Sequence, residues 1–219
     1  MRDYEELSRK HFNSQADKYD ETNSMYYSKE GKISSRDIEK YLSNHDYKKL
    51  LDVGTGTGYL IDILSKQKEA EYHGLDLSEE MIKVAKSKNI PNATFIVGKA
   101  NKLPYPDDTF DIVTCSQSFH HYPYQMEALK EAYRVLKPGG IYILSDTGVG
   151  GALGWIYNNI IFKIIKSGDY NTTNKEGVEK MMKAAKFRII KKYNVQHCLY
   201  TVIGKKMVLL NNLNDIKHK

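Results

Sequence analysis

Cysteine is nearly absent from this 219-residue sequence: only Cys115 and Cys198 occur, with no CxxC and no Cys/His cluster at zinc spacing. Neither a disulfide framework nor a metal centre is expected from them. A long apolar run is also missing. The most hydrophobic stretch, Val149 to Ile165, is broken by Asn158, Asn159 and Lys163, which leaves it too short and too polar for a membrane span. The first residues, Met1-Arg2-Asp3-Tyr4-Glu5-Glu6, are too polar for a secretory signal. These absences read as a cytoplasmic, reduced, soluble protein. Finally, no basic block stands out. The net charge is +6, but the tightest clusters are the pairs Lys48-Lys49, Lys191-Lys192 and Lys205-Lys206. A nucleic-acid footprint gathers basic residues on one face, so the charge is read as solvated surface and no nucleic-acid partner is expected.

What is present is an ordinary globular mixture, with 41% hydrophobic and 27% charged residues, in a length that suits a single domain spanning 1–219. Seventeen tyrosines are many; an aromatic acceptor pocket and plain surface usage both account for them. Residues 1–45 are polar, and Ser14–Tyr19 and Ser34–Leu42 fit helices lying on a core as a cap or lid. From Lys49 the texture alternates. Strands are predicted at 49–53, 71–76, 94–97, 110–115 and 141–144, with helices over 57–66, after the N-cap Ser78, and over 124–136 before Lys137-Pro138-Gly139-Gly140. Such alternation calls for an α/β fold with a doubly wound, mostly parallel sheet, here over 46–147. In 148–172, Leu153, Ile156, Ile160 and Ile164 share one helical face. In 173–209 a helix near 178–185 precedes two strands, 187–195 and 199–207, which form a closing antiparallel hairpin. There is no internal repeat.

Gly54-Thr55-Gly56-Thr57-Gly58 lies between a buried strand and a helix, where glycines let the chain turn sharply and let a ligand lie against bare main chain. Asp76 ends the following strand, where a carboxylate can accept both hydroxyls of a ribose. The pair predicts a nucleoside-containing ligand at the strand ends. A dinucleotide fingerprint needs a third glycine or alanine at the position of Tyr59, and fails there.

The run Leu51-Asp52-Val53-Gly54-Thr55-Gly56-Thr57-Gly58 resembles motif I of the class I S-adenosylmethionine (SAM)-dependent methyltransferases. Gly98-Lys99-Ala100-Asn101-Lys102-Leu103-Pro104-Tyr105-Pro106-Asp107-Asp108-Thr109-Phe110-Asp111 is similar to the segment between the third and fourth strands of the ubiquinone/menaquinone-type members (methyltransferase type 11). Arg134-Val135-Leu136-Lys137-Pro138-Gly139-Gly140 resembles their element before the fifth strand, and Phe12 to Asp20 their cofactor-capping helix. The resemblance covers roughly residues 10–207 and implies a Rossmann-like, seven-stranded sheet with an antiparallel last strand and a helical N-terminal cap. It implies SAM as cofactor, held by Tyr19, Asp52, Gly54, Gly56, Thr57, Gly58, Asp76, Leu77, Lys99, Ala100, Asn101 and Ser116. One departure is Lys99, where the family commonly has an acid that accepts from the adenine amino group; a lysine cannot accept. A SAM binder without methyl transfer is the alternative that this position motivates.

The acceptor side follows the fourth strand, in Ser116-Gln117-Ser118-Phe119-His120-His121-Tyr122-Pro123. One of His120 and His121 is the candidate general base, since imidazole titrates near neutrality; a purely structural role for the pair is the competing reading. The (Asp/Asn)-Pro-Pro-(Tyr/Phe) run of nucleobase amine methyltransferases is absent, and Cys115 lies inside an apolar strand rather than in a nucleophile's position. A small-molecule acceptor is therefore favoured over nucleic acid or protein. The cap and Val149–Ile165 are expected to build its pocket. The acceptor atom and the oligomeric state are left open.

Overall fold

Leu50, Ile112, Ile143 and Ile203 project to one face of a central sheet, and their sequence neighbours Leu51, Val113, Leu144 and Val202 project to the other, all buried. This two-residue alternation in hydrophobic strands demands a cover on both faces. The computed structural model describes residues 3–20, 26–164 and 169–208. Its sheet contains β1 (Lys49–Val53), β2 (Glu71–Asp76), β3 (Ala93–Val97), β4 (Phe110–Ser116), β5 (Leu136–Thr147), β6 (Arg188–Gln196) and β7 (Leu199–Lys205). The spatial order is β3-β2-β1-β4-β5-β7-β6. The first five strands pair in parallel, and β7 enters antiparallel between β5 and β6. The expected α/β doubly wound sheet, mostly parallel and seven-stranded with an antiparallel last strand, is the one observed.

Around it lie α1 (Tyr4–Gln15), α2 (Tyr26–Leu42), α3 (Tyr59–Ser65), α4 (Glu79–Ser87), α5 (Gln125–Val135), α6 (Gly151–Ile156), α7 (Phe162–Ile164) and α8 (Lys175–Ala184), with a π-helical turn, Tyr157–Ile161, joining α6 to α7. Ser78 caps α4 as predicted, its side chain accepting from Met81 N–H at 3.1 Å, and Glu79 and Glu80 occupy the positive end of the helix. No helix among the described residues is long and apolar enough to cross a membrane.

Three expectations change. The main helix of the cap runs over Tyr4–Gln15, with Asp3 as its N-cap accepting from Glu6 N–H, and the helix expected over 14–19 is its tail and a 3-10 turn, Ala16–Lys18. The segment Lys137–Gly140 does end α5, but it already belongs to β5. The pairing jumps from Phe110↔Leu136 to Ile112↔Ile141, and Gly139, at φ +85, donates to the Lys206 carbonyl at 2.9 Å. Pairing with the chain beyond β7 thus recruits a turn-like tetrapeptide into the strand. Last, Leu153, Ile156, Ile160 and Ile164 are helical but point outward, Leu153 60% and Ile164 71% exposed. Ile165, the end of that apolar run, lies outside the described residues, as do 21–25 of the cap.

Candidate active site

The chain leaves β1 at Val53 and turns at Gly54, whose φ is +75 and whose added Cβ would stand 1.9 Å from Ser118 Oγ. Only glycine satisfies both constraints. Gly56 also has positive φ (+54), and a Cβ there would meet nothing within 4 Å, so its main chain faces the open cleft. The loop is tied to β2, with Gly54 and Thr55 N–H donating to the Leu75 carbonyl (2.7 and 3.0 Å). Gly56 N–H donates to Asp76 Oδ2 at 2.8 Å, and Ser78 N–H to Asp76 Oδ1 at 2.9 Å. A carboxylate offers about four lone-pair sites, so each oxygen of Asp76 keeps capacity toward the cleft it lines. Burial pushes the Asp76 carboxyl pKa up, against the pull of its backbone donors. Asp52, at the end of β1, is fully buried yet borders the same cleft. Burial raises its pKa to about 6, and the 2.7 Å hydrogen bond from Thr114 Oγ1 opposes that rise.

The cap roofs this end. Asn13 Oδ1 accepts from Ser78 Oγ (2.5 Å), Arg9 reaches Glu79 (3.1 Å), and Thr57 Oγ1 donates to Asp20 Oδ1 (2.7 Å). Lys99 pairs with Glu5 of α1 at 2.5 Å, and that bond raises the lysine pKa. Glu5 lines the cleft beside Lys99, Ala100 and Asn101. The lysine that cannot accept a hydrogen bond therefore brings a carboxylate to its side.

At the other end, β4 delivers Ser116 and then Gln117, a non-glycine at φ +50. Ser116 Oγ donates to Ser34 Oγ at 2.9 Å. Tyr122 Oη accepts from Ser118 Oγ (2.8 Å) and donates to the Val53 carbonyl (3.2 Å), bracing the glycine turn. His121 lines the cleft under an edge-on contact from Phe12, centroids 4.9 Å apart, whereas His120 does not line it. His120 is locked behind: Asp146 Oδ2 accepts its backbone N–H (2.9 Å) and Asp146 Oδ1 lies 2.6 Å from Nδ1. Burial would lower the His120 pKa, but the Asp146 carboxylate outweighs it and the net shift is upward.

Of the residues the sequence singled out, Tyr19, Asp52, Gly54, Gly56, Thr57, Asp76, Leu77, Lys99, Ala100, Asn101, Ser116 and His121 share this cleft. Gly58 does not line it; at φ +76 it begins α3, and its carbonyl accepts from Asp62 N–H. Among the described residues, none of 148–164 lines the cleft, because their apolar face turns to solvent. Sequence reasoning passed over Glu5, Gln117, Asp146 and Asp169. The charge complement to Lys99 could have pointed to Glu5; nothing local marks the others.

Residues 51–144 match the Methyltransf_11 family model, described as a methyltransferase domain. The chain is 34% identical over 157 residues to the demethylmenaquinone methyltransferase of Listeria welshimeri, covering 69% of this chain and 66% of that protein. The chain belongs to the class I SAM-dependent methyltransferases. It is also 39% identical over 102 residues to the uncharacterized methyltransferase YcgJ of Bacillus subtilis, 45% of this chain and 40% of that one. The chain thus spans less than half of one curated relative and about two thirds of the other. The chain solved with the Haloferax volcanii Trm112 methyltransferase activator superposes with a TM-score of 0.78 at 17% identity, over 94% of this chain and 100% of that one, a likeness of fold. The matched span holds the glycine loop, Asp76 and the His120-His121 turn, whereas the cap and everything after Leu144 in β5 lie outside it.

Proposed function

We propose that this chain transfers a methyl group from SAM to a small-molecule acceptor. The observation that carries the proposal is Asp76, a buried carboxylate with lone pairs left over, beside a glycine loop whose Gly56 main chain faces an open cleft. The residues fit the cofactor. Asp76 would take the ribose hydroxyls, and Asp52 and Asp20 would supply negative charge to a cationic sulfonium and ammonium. Gln117 Nε2, buried with no hydrogen-bond partner among the described residues, would donate to a carboxylate. At the adenine end Leu77, Ala100 and Asn101 would pack the ring, and Glu5, held by Lys99, would accept from its amino group in place of the usual acid.

SAM supplies an activated methyl carbon when bound. The chain's own part is orientation and exclusion of water, and holding two reactants in line is worth roughly 7–11 kcal/mol. α1 closes the cleft from above through its contacts to Ser78, Glu79 and Lys99. Phe12, Tyr122 and Tyr124 give the acceptor end aromatic walls, suited to an apolar or aromatic acceptor of the kind that the Listeria relative's name denotes. The cleft's cations are spoken for: Arg9 by Glu6 and Glu79, Lys99 by Glu5, and Lys32 by the Asp20 carbonyl. That pairing argues against a nucleic-acid acceptor. For a hydroxyl or acidic-carbon acceptor, His121 is the imidazole placed to take the proton, and His120 acts only through its neighbours.

Calorimetric titration with SAM, with NADH as control ligand, tests the cofactor. S-adenosylhomocysteine release with a naphthol-type acceptor then tests transfer. Micromolar SAM binding with silence toward NADH is expected; silence toward SAM removes the proposal. His121→Ala should lower turnover about 100-fold or more at saturating acceptor, within the range of general-base contributions. Full turnover in that variant would remove its role.

A further inference from the structure

Behind the acceptor end, two imidazoles and a carboxylate converge from distant parts of the chain. His120 and His121 sit on the short helical turn after β4, and Asp169 sits on the segment before α8. His121 Nδ1 lies 3.3 Å from Asp169 Oδ1, His120 Nε2 lies 3.6 Å from the same oxygen, and the three ligand atoms all fall within 4.8 Å of one another. Bonds of about 2.0–2.1 Å to a tetrahedral ion place ligand atoms roughly 3.3 Å apart, which matches two of the three edges. We propose that His120 Nε2, His121 Nδ1 and Asp169 bind a first-row divalent transition ion such as zinc.

Three features support a built site rather than a chance meeting. First, adjacent histidines can reach one ion only through different ring atoms, and here they present Nε2 and Nδ1 with ring centroids 4.1 Å apart. Second, Asp146 backs His120. Its Oδ1 lies 2.6 Å from Nδ1 and its Oδ2 accepts the His120 backbone N–H, so Nε2 is the ring atom turned toward Asp169. A carboxylate behind a histidine is the usual outer partner of a metal-bound imidazole. Third, the Asp169 segment is pinned to the histidine turn: Tyr170 and Asn171 N–H both donate to the His120 carbonyl (3.0 and 3.1 Å), and Gln125 bonds Asn171 in both directions. Two histidines and one carboxylate suit zinc, cobalt or iron(II), and in the metal-bound form His121, its Nδ1 lone pair taken, serves as a ligand and not as the base proposed for it above. No local pattern marks this cluster, because Asp169 lies far along the chain from the histidine pair.

The test is metal binding to the full chain, and it does not require methyl transfer. Metal-stripped protein is titrated with zinc by calorimetry, and with cobalt by its visible absorption. One equivalent binding at micromolar affinity or tighter is expected, with the intense visible bands of a tetrahedral cobalt site. Asp169→Asn and His120→Gln should each weaken binding 100-fold or more while circular dichroism stays native. Asp146→Asn keeps all three ligands and should weaken it only about 10–100-fold. No zinc uptake, or uptake that Asp169→Asn leaves unchanged, overturns the proposal, the latter by placing the metal elsewhere. SAM titration of the same metal-free sample separates the readings: SAM binding without zinc binding removes the metal site and leaves the methyltransferase reading standing.

Discussion

From Gly54 to Ser78 the cleft is walled by main chain that β1 and β2 hold in register, with Asp76 accepting two backbone N–H groups within that frame. From Ser116 to Ala128 it is walled by side chains held by bonds across loops, where Tyr122 braces Val53 and, behind the wall, Asp146 holds His120 and Gln125 grips Asn171. The first wall makes a fixed mould for a ligand whose shape does not vary. The second depends on side-chain identity and can change with the acceptor without disturbing the sheet. The difference teaches where a substitution should act on the cofactor and where on the acceptor.

The largest effect should come from the fixed wall. In the proposed complex Asp76→Ala would remove two charge-assisted hydrogen bonds to ribose, each worth about 1.5–3 kcal/mol, so SAM affinity should fall at least about 100-fold by calorimetry. Affinity within threefold of the parent would mean that the main-chain mould is not the cofactor wall.

Asp52 sharpens the comparison through pH. Its pKa in the folded protein is about 6, raised chiefly by burial, against about 3.9 in an unfolded chain. A raised carboxyl pKa favours folding with the proton on. The contribution is therefore complete below about pH 4 and is lost as pH climbs through about 6, a decline on the order of 3 kcal/mol. Asp52→Asn should flatten that decline and unfold at higher urea than the parent near pH 7. Parallel urea midpoints from about pH 4 to 7 for the two proteins would show that this carboxyl carries no such burden.

Glu5 and Lys99 probe the roof. Their ion pair is exposed on the lysine side, so Lys99→Ala should cost SAM affinity only about two- to fivefold, in line with surface pairs. Glu5→Ala, which removes the acceptor itself, should cost several-fold more. Equal losses would reduce the pair to a simple latch. The smallest effect is expected at Trp155, 61% exposed and away from the cleft. Trp155→Ser should stay within about 0.5 kcal/mol in stability and leave the acceptor KM unchanged. A shifted KM would bring α6 into the acceptor wall after all.

The main-chain wall, proposed above to hold the cofactor, was legible because its signals are local. Glycines that need positive φ, a strand ending in Asp76 and an N-cap at Ser78 each act within a few residues of one another. The acceptor wall was not, and the outward face of Leu153, Ile156, Ile160 and Ile164 shows why: helical periodicity reports that a face is apolar, not what it meets. The adjacent histidines likewise look equivalent in sequence, and only Asp146 at the end of β5 makes one a buried anchor and the other a cleft residue.

By itself the sequence determined the strand order's raw material, the parallel core and the glycine loop and Asp76 that line one end of the cleft, since alternation, glycine turns and helix caps are properties of short segments. Tertiary structure alone decided three things. Glu5 answers Lys99 across the roof, β5 begins inside a predicted turn, and Asp169 arrives at His120 and His121. Each depends on a contact between residues far apart in the chain, and such contacts are set by how whole elements pack, which no local pattern encodes.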